Sequence, residues 1–267
     1  MVFAQVIRMI KKYGYKKAGL LLLIVSLIMQ WGCVSKPSEK LMIATAANMR
    51  FAMTSLVEAF TAETGISCET VVSSSGKLTA QIAQGAPFDL FVSADMKYPD
   101  ELYRQGLTIT PPKVYAYGKL VLWCAHDDVE PSLVILNDDS VQRIAIANPK
   151  TAPYGRAAME VINHDFHSEQ ITHKLVYGES ISQTSQFIIS GAASIGFTAK
   201  SVVLSPEIIG KGQWHEIDTS LYSPIEQGVV VLNQNPEMID VAQQFKLFLF
   251  SENGQKILMR YGYEVSK

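Results

Sequence analysis

From Leu41 onward the chain switches repeatedly between short apolar or β-branched runs and longer segments of helical period. That alternation restricts it to an α/β architecture, because each run must be buried by the amphipathic segment that follows it. Leu41–Ala46 (LMIATA) reads as the first strand, and Asn48 suits the N-cap of a helix whose apolar face carries Phe51, Ala52, Leu56, Ala59 and Phe60 before Gly65 stops it. Residues 66–72 form a second strand. Ser73-Ser74-Ser75-Gly76 then opens a short helix with Leu78, Ala80, Ile82 and Ala83, ending near Gly85, and residues 88–92 are a third strand. Further strands are expected at 119–125, Ile144–Ala147, 175–177, 194–197 and 228–232, with helices beginning near Gly155, Ile181, Pro236 and Glu252. No period of about 20 to 50 residues recurs, which excludes a solenoid. Pro111-Pro112 and the polar stretch 127–140 are the clearest breaks, and the first lies near a change of lobe.

The amino terminus is of another kind. Its first 33 residues hold five of the 23 basic side chains (Arg8, Lys11, Lys12, Lys16 and Lys17) and no acid. An unbroken apolar run, residues 18–29, follows; its 12 residues fall short of the roughly 20 that span a membrane, so it reads as the h-region of a secretory signal. Lysines before it and a Ser/Lys/Pro stretch after it oppose a buried core helix. Seventeen residues ahead of an h-region is long, and Met9 would start a more ordinary signal than Met1. The run closes in Met29-Gln30-Trp31-Gly32-Cys33, and Gly-Cys after an apolar run resembles the lipobox of bacterial lipoproteins, with Gln30 and Trp31 departing from the usual aliphatic and small residues. No A-x-A-like cleavage site competes with it. The expectation is an exported chain with a signal over residues 1–33, lipid-anchored at Cys33 in the periplasm or on the cell-envelope surface, with residues 34–40 as a polar tether.

Removing that segment turns a formal net charge of −2 into −7, from 18 bases against 25 acids. Such a body is no nucleic-acid binder resting on bulk positive charge, and 48% hydrophobic residues exclude a disordered tail. About 230 residues can bury one large core or two lobes of about 100 residues each. Three cysteines are too few for a disulfide scaffold; Cys68 and Cys124 sit in apolar segments, as a disulfide or as two buried thiols.

Three strand-to-helix junctions place a small or polar residue just before a helix start: Ala47-Asn48, Ser75-Gly76 and Pro153-Tyr154-Gly155. A fourth helix starts near Ile181. Free backbone N–H groups and the positive end of the helix dipole make such junctions anion seats, although any helix needs a cap and Ser or Asn supplies one. Enzyme patterns fail on inspection. Residues 73–78 (SSSGKL) imitate a P-loop, but Val71 stands where its first glycine belongs and Leu78 where Ser or Thr would reach Mg²⁺. No strand is followed by G-x-G-x-x-G, and no G-x-S-x-G presents a nucleophile. His164, His167 and His173 with Asp165 match no metal spacing and read as a solvated helix end, His126 with Asp127 and Asp128 as a turn, and His215 beside Trp214 as a strand edge. No paired carboxylates are evident.

The segments ATAANM (44–49), SSSGKLTAQIAQGAPFDLFVSAD (73–95), YGKLVLW (117–123), IAIANPKTAPYG (144–155), SGAASIGF (190–197) and RYGYEV (260–265) resemble the periplasmic molybdate-binding proteins of ABC importers. The resemblance covers residues 41–265, and the block ending GAPFDLFVSAD is its most specific part. It implies a class II periplasmic-binding-protein fold: two α/β lobes, residues 41–118 with 227–267 and residues 119–226, joined by two crossovers with a ligand cleft between them. It also implies a tetrahedral oxyanion held by neutral donors: Ala47 through its N–H, Asn48 through side chain or N–H, Ser75 through hydroxyl and N–H, and Tyr154 and Ile181 through their N–H groups. The implied ligand is molybdate, with tungstate close behind because the two are nearly the same size. The implied partners are a membrane permease and its cytoplasmic ATPase, for a monomer without catalysis or cofactor. Two departures stand out: Ala47 lies where many members carry Ser or Thr, and Ala199 where one branch carries tyrosine. Lys77, the one cation beside the site, is expected to point outward. A receptor for another oxyanion (tungstate alone, sulfate or phosphate) is the alternative, and an envelope hydrolase or transferase on a similar scaffold is the third reading.

Overall fold

In a computed structural model of the chain, residues 40–126, 130–165 and 168–265 are described. The segments expected as export signal and tether, all but Lys40 and including Cys33, lie outside the described residues, as do Asp127, Asp128 and His167. In chain order the strands are β1 (Leu41–Ala46), β2 (Cys68–Ser73), β3 (Leu90–Val92), β4 (Lys113–Gly118), β5 (Leu120–Cys124), β6 (Ile144–Ala147), β7 (Leu175–Gly178), β8 (Ile195–Ala199), β9 (Gln213–Glu216) and β10 (Ile225–Val231). The helices are α1 (Arg50–Thr64), α2 (Ser75–Ala83), α3 (Lys97–Arg104), α4 (Pro153–Asp165), α5 (Ser168–Thr172), α6 (Ile181–Ile189), α7 (Lys200–Val203), α8 (Ile239–Leu249) and α9 (Glu252–Arg260).

The strands form two five-stranded sheets, ordered β2-β1-β3-β10-β4 and β7-β6-β8-β5-β9. Their pairing is equivalent. β1 runs parallel to β2 and β3, and β10 antiparallel to β3 and β4; β6 runs parallel to β7 and β8, and β5 antiparallel to β8 and β9. The chain crosses from the first sheet to the second between Gly118 and Leu120 and returns between Glu216 and Ile225. β1, β2, β6 and β7 therefore occupy corresponding places, and a helical turn opens just beyond the carboxyl end of each, where ligands collect in open α/β sheets.

Strands covered on both faces need continuous apolar runs, and β5 (LVLWC) and β6 (IAIA) are buried throughout. On the first sheet Phe60 of α1 meets Phe245 and Phe248 of α8 edge-on, with ring centroids 4.9 and 5.6 Å apart. Leu78 and Ile82 of α2 pack with Phe91 and Leu102 in a second cluster. On the second sheet Trp123, Val161, Ile162 and Ile188 share one core.

Asn48 is not an N-cap. A 3-10 turn over Ala47–Met49 runs straight into α1, so Ala46 takes the capping place and the Asn48 side chain is released for tertiary contacts. Gly65 closes α1 in the left-handed region (φ 73°), its N–H donating to Thr61 at 2.8 Å. β4, α3, α5 and α7 go beyond the expected set. β4 follows the diproline break and is held by β10 across a bulge at Gln227/Gly228. α3 carries Pro99 in its first turn, where a missing N–H costs no helical bond. Within the polar stretch, the Lys174 ammonium donates to the carbonyls of Leu136 and Asp138 at 3.1 and 2.8 Å and so orders it. Cys68 and Cys124 are thiols in different sheets, and burial pushes the Cys68 thiol up to about 11.

Candidate ligand site

The four junctions meet. Ala47 and Asn48 in the turn after β1, Ser75 at the start of α2, Tyr154 in the first turn of α4 and Ile181 at the start of α6 all line one small cavity of about 10 Å³, together with Ser74, Ala94 and Pro153. A first-turn N–H has no preceding carbonyl within its helix, and the positive ends of the helix dipoles point into the same space. The cavity is thus rich in donors without a formal charge.

Each side chain there has a definite role. Ser75 is wholly buried, and its Oγ accepts the Ala94 N–H at 3.0 Å, which leaves its own proton to donate. The Tyr154 ring is sunk in the second core, so the group this residue offers the cavity is its backbone. The Asn48 amide nitrogen is committed elsewhere: Nδ2 donates to Gln227 Oε1 and to the Tyr263 hydroxyl, both at 2.8 Å. Gln227 cannot turn to release it, because its Nε2 donates to the Ala94 carbonyl at 3.2 Å. The backbone of Asn48 is held as well, since Ser201 Oγ donates to its carbonyl at 2.8 Å. Of the two routes expected for Asn48, only its N–H is left for a ligand. Burial pushes the phenols of Tyr115, Tyr154 and Tyr263 well above their ordinary range, so they remain neutral.

Cations stand around the cavity and not in it. Lys77 forms an ion pair with Glu179, and Arg156 with Asp95, while the Arg156 guanidinium lies 5.5 Å from the Tyr98 ring centroid. Burial raises the Asp95 carboxyl and the Arg156 charge pulls it back. These pairs join the loops of the first sheet to those of the second. So do the Gly76 N–H, donating to Thr151 O at 2.9 Å, and the Tyr98 hydroxyl, donating to Lys150 O at 3.2 Å. The cleft is closed in this arrangement. None of the described histidines lines it, and Ala199 is buried in β8 away from it. Ser74, Gln227, Tyr263 and Ser201 escaped sequence reasoning. Only Ser74 left a signal, as one of three consecutive serines ahead of a helix.

Residues 41–264 match the family model of bacterial extracellular solute-binding proteins. The chain belongs to that family. Among its relatives are molybdate-binding proteins named ModA. The one from Azotobacter vinelandii is 34% identical over 233 residues, covering 86% of this chain and 92% of the relative. That from Rhodobacter capsulatus is 38% identical over 223 residues, covering 82% and 86%. The solved Azotobacter vinelandii periplasmic molybdate-binding protein superposes with a TM-score of 0.81 at 31% identity, over 85% of this chain and 100% of that one. This solute-binding protein therefore has an α/β periplasmic-binding-protein fold, and its named relatives are binding proteins.

Proposed function

We propose that this solute-binding protein captures molybdate, with tungstate as a close competitor, and delivers it to an ABC permease and its cytoplasmic ATPase. The observation that carries the reading is the convergence of four helix starts, drawn from two sheets, on one small cavity lined by neutral donors and no cation. A body at −7 cannot attract a dianion by its net charge, so local dipoles in a dehydrated cleft must hold it. Hydrogen bonds to a charged acceptor contribute about 1.5–3 kcal/mol each, and five of them suffice for submicromolar affinity after closure takes its share. The named relatives support molybdate as the ligand.

In this reading the two sheets are the cores of two lobes, residues 41–118 with 227–267 and residues 119–226, and the donors are the N–H groups of Ala47, Asn48, Ser75, Tyr154 and Ile181 with the Ser75 hydroxyl. The protein is a monomer held at the envelope surface through Cys33 and works as a binding protein, as its named relatives do, without catalysis. Selectivity over sulfate follows from cavity size, since the charges match and molybdate is larger.

Calorimetric titration of the body beginning after Cys33, with molybdate, tungstate, sulfate and phosphate in turn, tests it. Tight 1:1 binding of the first two with the others silent is the expected result. Binding of sulfate or phosphate instead would keep the importer role and change the ligand, and no binding at all would reopen the hydrolase or transferase reading.

A further inference from the structure

Ser74 is anomalous for its position. It is the residue before α2, in an extended conformation (φ −70°, ψ 148°), where a serine hydroxyl ordinarily accepts an N–H from the first helical turn. Here it makes no such bond. The side chain is only 3% exposed, its Oγ has no hydrogen-bond partner among the described residues, and it lines the cavity. A buried hydroxyl without a partner is costly unless something else occupies it. One of the two groups such a cap would hold, the Gly76 N–H two residues on, is already taken: it donates across the cleft to Thr151 O at 2.9 Å.

We propose that the Ser74 hydroxyl is a further ligand donor, beyond the five junction residues, freed for that task by cleft closure. This rests on the oxyanion-binding reading of the same cavity. Ser75 Oγ already accepts the Ala94 N–H, so the two adjacent serines divide the work. Ser75 is oriented in advance by the protein, and Ser74 is oriented by the ligand. When the loops separate, Gly76 loses Thr151 and Ser74 can return to its N-terminal cap, so closure exchanges a cap bond for a ligand bond. A hydroxyl that donates in this way favours an anion presenting a bare oxygen.

The test compares the unaltered protein with Ser74→Gly and Ser74→Ala by calorimetric titration with molybdate, alongside melting of the ligand-free forms. Glycine is nearly as good an N-cap as serine and lacks the hydroxyl, so it separates the ligand bond from helix capping. The expected result is affinity at least about tenfold weaker in both variants, the size of one hydrogen bond to a charged acceptor, with the melting temperature of the ligand-free Ser74→Gly protein close to that of the unaltered one. Molybdate binding by Ser74→Gly within about twofold of the unaltered protein would overturn the assignment while leaving the oxyanion reading intact. Failure of the unaltered protein to bind molybdate, tungstate, sulfate or phosphate would overturn both.

Discussion

The two halves of the cavity are built to the same plan but from different material. In both sheets the cavity-facing groups follow the central parallel strand and its outer neighbour, β1 and β2 in one and β6 and β7 in the other. The first half brings hydroxyls as well as backbone donors, through Ser74 and Ser75. The second brings Tyr154 and Ile181, whose side chains lie in the core and whose offer to the cavity is backbone alone. The two serines of the first half should therefore respond to side-chain truncation in affinity, and the second half in stability.

The largest expected effect is in the second half. A Cβ at Gly155 would sit 2.1 Å from the Ala147 carbonyl oxygen, so α4 could not keep its place over β6. Gly155→Ala should cost about 3 kcal/mol or more, read as a large drop in denaturant midpoint. Next comes the Asn48 amide, which ties the turn after β1 to β10 and to the carboxyl-terminal segment on the same side. Asn48→Ala strands Gln227 Oε1 and removes a bond to Tyr263, so a loss of about 2–3 kcal/mol in unfolding free energy is expected, exceeding any direct loss of a ligand contact. A variant equally stable but much weaker in binding would return the Asn48 amide to the ligand. Ser75→Ala deletes a donor and the acceptor of the Ala94 N–H, and titration should show molybdate affinity falling about tenfold or more. Tyr154→Phe leaves the backbone donor in place and should bind within about twofold; a tenfold loss would break the division between the halves.

The smallest effect concerns pH. Asp95 is buried enough that its carboxyl titrates above its ordinary value despite Arg156. A raised carboxyl means the folded state holds the proton longer than the unfolded one, so this group's contribution to stability declines as pH rises above about 4. Asp95→Asn should remove that decline and leave the melting temperature at pH 7 unchanged or slightly higher, while affinity falls a few-fold because the pair with Arg156 across the cleft is gone. A clear drop in melting temperature would mean that the ion pair outweighs its desolvation.

Much of this was legible in the residues. β1 and β6 announce themselves as apolar runs, α1 by the spacing of Phe51, Leu56 and Phe60, and its end by Gly65. β4 did not, because Pro111-Pro112 and a mixed KVYAYG pattern read as a break, and only pairing with β10, more than 100 residues later, makes it a strand. α3 was hidden by Pro99, which is harmful in a helix interior and harmless in a first turn. Asn48 suited a cap by composition, yet the turn beginning at Ala47 displaced it.

The sequence by itself determined the alternation of strands and helices, the four junctions and their unpaired N–H groups, since those depend on neighbours within a few residues. Tertiary structure alone decided that the four junctions share one cavity, that Ser74 faces it beside Ser75, and that the Asn48 amide is spent on Gln227 and Tyr263. Those partners lie 179 and 215 residues away along the chain. A backbone donor is left over by local geometry, whereas a side chain's partner is chosen by whatever the packed chain brings within hydrogen-bond distance.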